Sequence, residues 1–206
     1  MTTKLPPDHA DRERRTLAES LTKLDLDFVD LCLGHWPPGG QAAPKMWEQF
    51  IAAQQDGLAK AIGVSNYALD QIDELTAATG VIPSVDQIRW SPALYERGVA
   101  SGLEQRGVVL EGYSPFKRSN LDDPTLVPIA GEHEATTAQV IVAWHVAHGF
   151  VVIPKSVRPE RIVANAAGAR IELTPEELTA IDSFPAWRWT KAIPPIGKRR
   201  LRWSLS

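Results

Sequence analysis

The 206-residue sequence predicts an α/β fold built on a parallel sheet, and two observations carry that prediction. Six short apolar stretches each run abruptly into polar residues: TTK at Lys4, DFVDLCLGH at His35, AIGVSN at Ser65 and Asn66, SVDQ at Gln87, VVLEGYS at Tyr113 and Ser114, and VVIPKS at Lys155 and Ser156. A helix-like segment separates each stretch from the next. Strands that alternate with helices lie parallel, and parallel strands deliver the residues that follow them to one end of the sheet. Composition agrees, since 44% apolar and 23% charged residues suit one soluble domain with one substantial core.

The elements follow in order. After Lys4, a Pro6-Pro7-Asp8 turn leads to Leu17, Leu21 and Leu24, which recur at helical spacing opposite Arg and Glu and predict an amphipathic helix. The loop WPPGGQAAP after His35 ends at Pro44, which suits a first helical turn because its missing N–H would be unpaired there; Trp47, Phe50, Ile51 and Gln54 continue that helix. Leu69, Ile72, Leu75 and Ala78 trace the next helix, which Gly80 ends as a left-handed cap. A fourth strand covers 85–88, a helix 93–105, and Gly107 opens the fifth strand. Thr136 or Thr137 caps a helix whose Val140, Ile141, Trp144 and Ala147 face inward, and Gly149 ends it before FVVIP, the sixth strand. A further helix begins near Pro159. The last one opens with the capping box Thr174-Pro175-Glu176-Glu177, with Leu178, Ile181 and Phe184 packing down. From Pro185 onward the period is lost, and 185–206 reads as an irregular basic tail.

Charge and cysteine content exclude several classes. A formal net charge of -3 gives no reason to expect nucleic acid as the general partner. The first residues lack the apolar stretch of a signal peptide, and no run reaches the length of a membrane span, so the expected setting is the cytoplasm without membrane contact. The single Cys32, inside an apolar run, reads as a buried structural thiol, and no cysteine cluster has metal spacing.

The residues at the strand ends are the candidates for chemistry. Lys155, Ser156, Arg161 and Asn165 place two cations, a hydroxyl and an amide around a helix amino terminus, a setting that favours a phosphate; a solvated basic patch is the bland alternative. Ser65, Asn66 and Gln87 could read a planar carboxamide, although Ser-Asn after a strand also serves as a helix cap. Tyr113 offers a face on which an aromatic ring can stack. His35 is the histidine at a strand's end; His9, His133, His145 and His148 fall in loops or on helices. Lys4 is either a surface lysine or a cation able to shift a neighbour's pKa.

With these residues in place, the chain resembles the aldo-keto reductases, an NADPH-dependent family built on the eight-stranded βα barrel of TIM type. The pieces that carry the resemblance are VDLCLGHWP, AIGVSNY, VDQIRWSP, GYSP and IPKSVRPERIVAN, in that order, over 2–184. It implies that His35 orients the substrate carbonyl and Lys4 assists the acid. Ser65, Asn66 and Gln87 would contact the nicotinamide carboxamide, Tyr113 would stack beneath the ring and Ser114 would lie by the pyrophosphate. Lys155, Ser156 and Arg161 would grip the 2'-phosphate, and Asn165 would touch adenine, with NADPH as cofactor and a small carbonyl compound as substrate. Ala164 stands where many members carry a glutamate. The family's catalytic aspartate and tyrosine belong to a region before TTKL, so the resemblance covers about six of eight βα units. Six strands do not close that barrel. The expectation is therefore a carbonyl reductase impaired or inactive in this form, with a cofactor-binding remnant without turnover as the alternative. A Schiff-base lyase using Lys4 or Lys155 leaves Ser65, Asn66, Gln87 and Tyr113 without a role. The open edges near Lys4 and Val152 should leave apolar inner residues facing water.

Overall fold

Six strands form one parallel sheet in chain order: β1 (Thr2–Leu5), β2 (Val29–Gly34), β3 (Ala59–Ser65), β4 (Val85–Arg89), β5 (Val109–Tyr113) and β6 (Val151–Ile153). The computed structural model describes residues 1–7 and 12–184, and the tail read as irregular lies outside them. Among the described residues β1 and β6 each pair with one neighbour, so the curled sheet is a barrel with a gap. Helices α1 (Glu13–Leu24), α2 (Pro44–Gln55), α3 (Leu69–Thr79), α4 (Arg97–Gln105), α5 (Leu126–Glu132), α6 (Thr137–Ala147), α7 (Pro159–Gly168) and α8 (Pro175–Asp182) connect and follow the strands.

Side chains alternate across each strand, and residues opposite one another in register share a face. One face packs on helices: Cys32, Ile62, Val64 and Leu110 are buried there with Trp47, Phe50, Ile72, Leu75 and Leu103. Burial also pushes the Cys32 thiol up to about 12, so it is an inert core group. The inner face carries Lys4 opposite Leu33, Ser65 opposite Gln87, Gln87 opposite Glu111, and Arg89 opposite Tyr113. Where the barrel is open, the same face shows Val109, Val151 and Ile153 to solvent at 43%, 46% and 39% exposure. That is the expected cost of the gap.

Most helix signals hold. Pro44 opens α2, Gly80 caps α3 at φ 73°, and Thr174 and Glu177 exchange their capping-box hydrogen bonds at the start of α8. Four details differ from the sequence reading. Leu24 is 40% exposed, because it is the last residue of α1 and the chain leaves through Asp25 in the left-handed region; Leu17 and Leu21 hold the buried stripe. The single helix expected over 93–105 is a 3-10 turn, Pro92–Leu94, followed by α4. Tyr95 and Glu96 are extended between them, which seats the Tyr95 ring edge-on to Trp90 and Trp144 at 5.9 and 5.4 Å. Ala78 and Ala147 are exposed near their helix ends, and α5 carried no sequence signal of its own.

Candidate functional site

The strand ends converge on the Ser65 hydroxyl. It donates to the Gln87 backbone carbonyl at 2.7 Å and accepts from Lys4 Nζ and Asn66 Nδ2, both at 3.0 Å. A hydroxyl has one donor and two acceptor positions, so this one is saturated within the protein. It thereby ties β1, β3 and β4 together. Asn66, at φ 65°, turns the chain out of β3, and its amide also reaches the His35 carbonyl at 3.2 Å. Its Oδ1 accepts from the Tyr113 hydroxyl at 2.9 Å. Lys4, His35, Ser65, Asn66, Gln87 and Tyr113 are thus one connected set.

The charges around that set are unevenly shared. Burial lowers the Lys4 pKa, while Glu111 and then Asp86 pull it back up. Burial, and secondarily the Lys4 charge, hold the exposed His35 imidazole below its usual value, so it is neutral at neutral pH. Lys4 Nζ and the Arg89 guanidinium lie 5.5 and 5.8 Å from the Tyr113 ring centroid, two cations against one ring. Glu111 is 8% exposed and accepts from Gln87 Nε2 at 3.1 Å; burial raises its pKa, and Gln87 and Lys4 oppose that rise. The sequence reading took one residue on each of these strands, Gln87 on β4 and Tyr113 on β5, and missed Arg89 and Glu111. Strand period would have found both, since Arg89 lies two residues after Gln87 and Glu111 two before Tyr113.

A second group adjoins the first through register. Ile153 pairs with Tyr113, so Lys155 and Ser156 leave β6 beside Ser114, which itself turns out of β5 at φ 55°. A serine in that region is strained, and strain persists where surrounding structure fixes it. Ser156 Oγ accepts from Arg158 N at 3.1 Å and shapes the turn into α7, whose start has no side-chain cap. Lys155 and Arg161 are exposed there, while Asn165 is buried one turn further along. Two cations at an uncapped helix start can hold a dianion. Among the described residues no group of three His, Cys, Asp or Glu could hold a metal ion, and no helix is long and apolar enough to cross a membrane.

Comparison with known proteins agrees in sequence and in structure. The sequence profile of the Aldo/keto reductase family matches residues 2–186. Methylglyoxal reductase DkgA of Salmonella typhimurium is 37% identical over 185 residues, which are 88% of this chain and 67% of that protein. Morphine 6-dehydrogenase of Pseudomonas putida is 37% identical over 189 residues, 84% of this chain and 64% of its own. Among solved structures, an aldo/keto reductase from Brucella melitensis superposes with a TM-score of 0.84 at 34% identity, covering 89% of this chain and 72% of that one. A variant of Gox0644 solved with NADPH gives 0.85 at 34% identity, covering 89% and 69%. The chain thus spans about two thirds of the length of the relatives it matches.

Proposed function

Because the chain belongs to the aldo/keto reductase family, we propose that its strand-end site binds NADPH and serves the reduction of small aldehydes and ketones, with slow turnover in this 206-residue form. The connected set Lys4, Ser65, Asn66 and Tyr113, standing beside the cations of α7, is the observation that carries this reading.

The donors present fit the cofactor. Gln87 offers its amide and Asn66 the second acceptor position of its Oδ1 to a carboxamide, Tyr113 a ring face, and Lys155, Ser156 and Arg161 two cations and a hydroxyl to a ribose phosphate. When bound, reduced nicotinamide supplies a hydride. The chain's own residues then hold the carbonyl and manage the proton. A neutral His35 can donate one N–H to the carbonyl oxygen, and Lys4, with its ammonium weakened by burial, supplies the nearby positive charge.

None of the three tyrosines in the sequence stands ready as the acid. Tyr113 donates its hydroxyl to Asn66, Tyr67 buries its hydroxyl on the helix-facing side near Gly34, and Tyr95 lies among Trp90, Trp144 and His148. A missing positioned acid typically costs about 10² to 10⁴ in rate. A kcat for methylglyoxal that low, beside a full-length relative, is the expected result. A rate equal to the relative's would contradict it.

A cofactor-binding remnant is the second reading, favoured by the same lack of a free tyrosine. Titration of tryptophan fluorescence with NADPH, with and without methylglyoxal, separates the two. Binding without any NADPH oxidation supports the remnant, slow oxidation supports the reductase, and no binding contradicts both.

A further inference from the structure

We propose that Glu111 is a positioning residue for the nicotinamide end of the site: its carboxylate takes a Gln87 side-chain N–H and so fixes the Gln87 carbonyl oxygen as an acceptor for a carboxamide N–H. The inference rests on the NADPH reading above and deepens it.

Geometry makes the orientation compulsory. Gln87 lies opposite Glu111 on the inner face, and Nε2 donates to Oε1 at 3.1 Å between groups that are 4% and 8% exposed. An ionised carboxylate can only accept, so the Gln87 amide must turn its NH₂ end to it and its oxygen away. Among the described residues nothing donates to that oxygen. A glutamine between neutral neighbours could flip freely; this one cannot while Glu111 is charged.

Burial raises the Glu111 pKa, and its neighbours work against that rise in favour of the charged form. Lys4, reaching over from β1, opposes the effect of burial on the Glu111 carboxyl, and Glu111 is the first of the two carboxylates that sustain the Lys4 charge, ahead of Asp86 of β4. Arg89, also of β4, adds positive charge at the Tyr113 ring one step along the same face. On the other side Val151 of β6 sits opposite Glu111 and offers no polar alternative.

The test compares NADP⁺ with its 3-acetylpyridine analogue, which has a methyl ketone in place of the carboxamide and therefore no N–H to give. Binding is followed by tryptophan fluorescence. The wild-type chain is expected to bind NADP⁺ about tenfold or more tighter than the analogue, as a lost hydrogen bond to a buried acceptor predicts. In Glu111→Gln the Gln87 amide can flip to meet the ketone, and the ratio should fall to within about twofold. Adenosine 2',5'-bisphosphate, which lacks the nicotinamide, should bind both proteins alike. A variant that binds the bisphosphate but keeps the wild-type ratio overturns the proposal while leaving the cofactor reading intact. A wild-type chain that binds neither NADP⁺ nor the bisphosphate overturns both. Should Glu111→Gln fail to fold, the wild-type Gln87 side-chain amide decides by NMR, assigned by its absence in Gln87→Glu. One amide proton shifted downfield supports the bond to the carboxylate, and two ordinary amide protons overturn it.

Discussion

Asp86 and His145 are both buried on the helix-facing side of the sheet, and they titrate in opposite senses. Desolvation pushes the Asp86 carboxyl up to about 7 from 3.8, against hydrogen bonds from the backbone of Tyr67 and Asn66. The native chain therefore holds a proton that the unfolded chain has lost, and stability falls as pH rises from about 4 to 7. Burial lowers His145 to about 4 from 6.5, so here the unfolded chain binds the extra proton, and stability falls as pH drops through the same window. The two slopes oppose each other between pH 4 and 6.5. Replacing Asp86 with Asn should leave the histidine slope uncovered, so that denaturant-measured stability rises by about 1.4 kcal/mol more per pH unit there than in the wild type. Parallel profiles for the two proteins would contradict it. Neither group was singled out in the sequence as a titrating core residue. The sequence places His145 only in a loop or on a helix, which leaves its burial open, and it gives Asp86 no role beside Gln87. What the sequence did expose was the row of strand-end residues, because a polar side chain closing an apolar run is visible without coordinates. Burial, which sets these pKa values, is not.

The junction of β3 and β4 depends on Gly63. A Cβ built there would lie 2.6 Å from the Val85 carbonyl oxygen and 2.8 Å from Leu33 Cδ2, and a backbone atom cannot yield as a side-chain tip does. Gly63→Ala should therefore cost about 1 to 3 kcal/mol or more, measured by urea unfolding, and should weaken NADPH binding by moving Ser65 and Gln87 apart. Unchanged stability would show that the strands can separate without loss. Elements were legible where a local signal exists, as with Pro44, Gly80 and the Thr174 capping box. The break at Tyr95 was not. It is made by ring contacts with Trp90 and Trp144, one of them 49 positions away in the chain, so no window around 93–105 contains the cause. Helix α6 shows a related limit, because Val142, Ala143 and His145 are buried beside the expected Val140, Ile141 and Trp144. It is wrapped by α5, α7 and β6, and a helix covered on several sides keeps no polar stripe to read.

The whole sheet ends in two unpaired edges among the described residues, and the count of six strands was already present in the sequence as six apolar runs. At the β6 edge the inner-face Val109, Val151 and Ile153 are exposed, and on α7 Ile162 and Val163 are 52% and 70% exposed. In solution the 206-residue chain should associate as its concentration rises, and the double replacement Val151→Thr with Ile153→Thr should reduce that association in sedimentation velocity. A wild-type chain that stays monomeric throughout would contradict this. The site itself does not span the gap, since its hydrogen-bonded members lie on β1, β3, β4 and β5 and the cations follow β6, Lys155 before α7 and Arg161 on it. Cofactor binding should accordingly survive in the open sheet. The most direct measurement is a fluorescence titration of the chain and of its Arg161→Ala variant with NADPH and with NADH. Strand-end binding with the α7 cations on the 2'-phosphate predicts that the wild type prefers NADPH, and that Arg161→Ala loses about 10- to 100-fold in NADPH affinity with little change for NADH. Equal wild-type affinity for the two cofactors, or an equal loss of both in the variant, would contradict it.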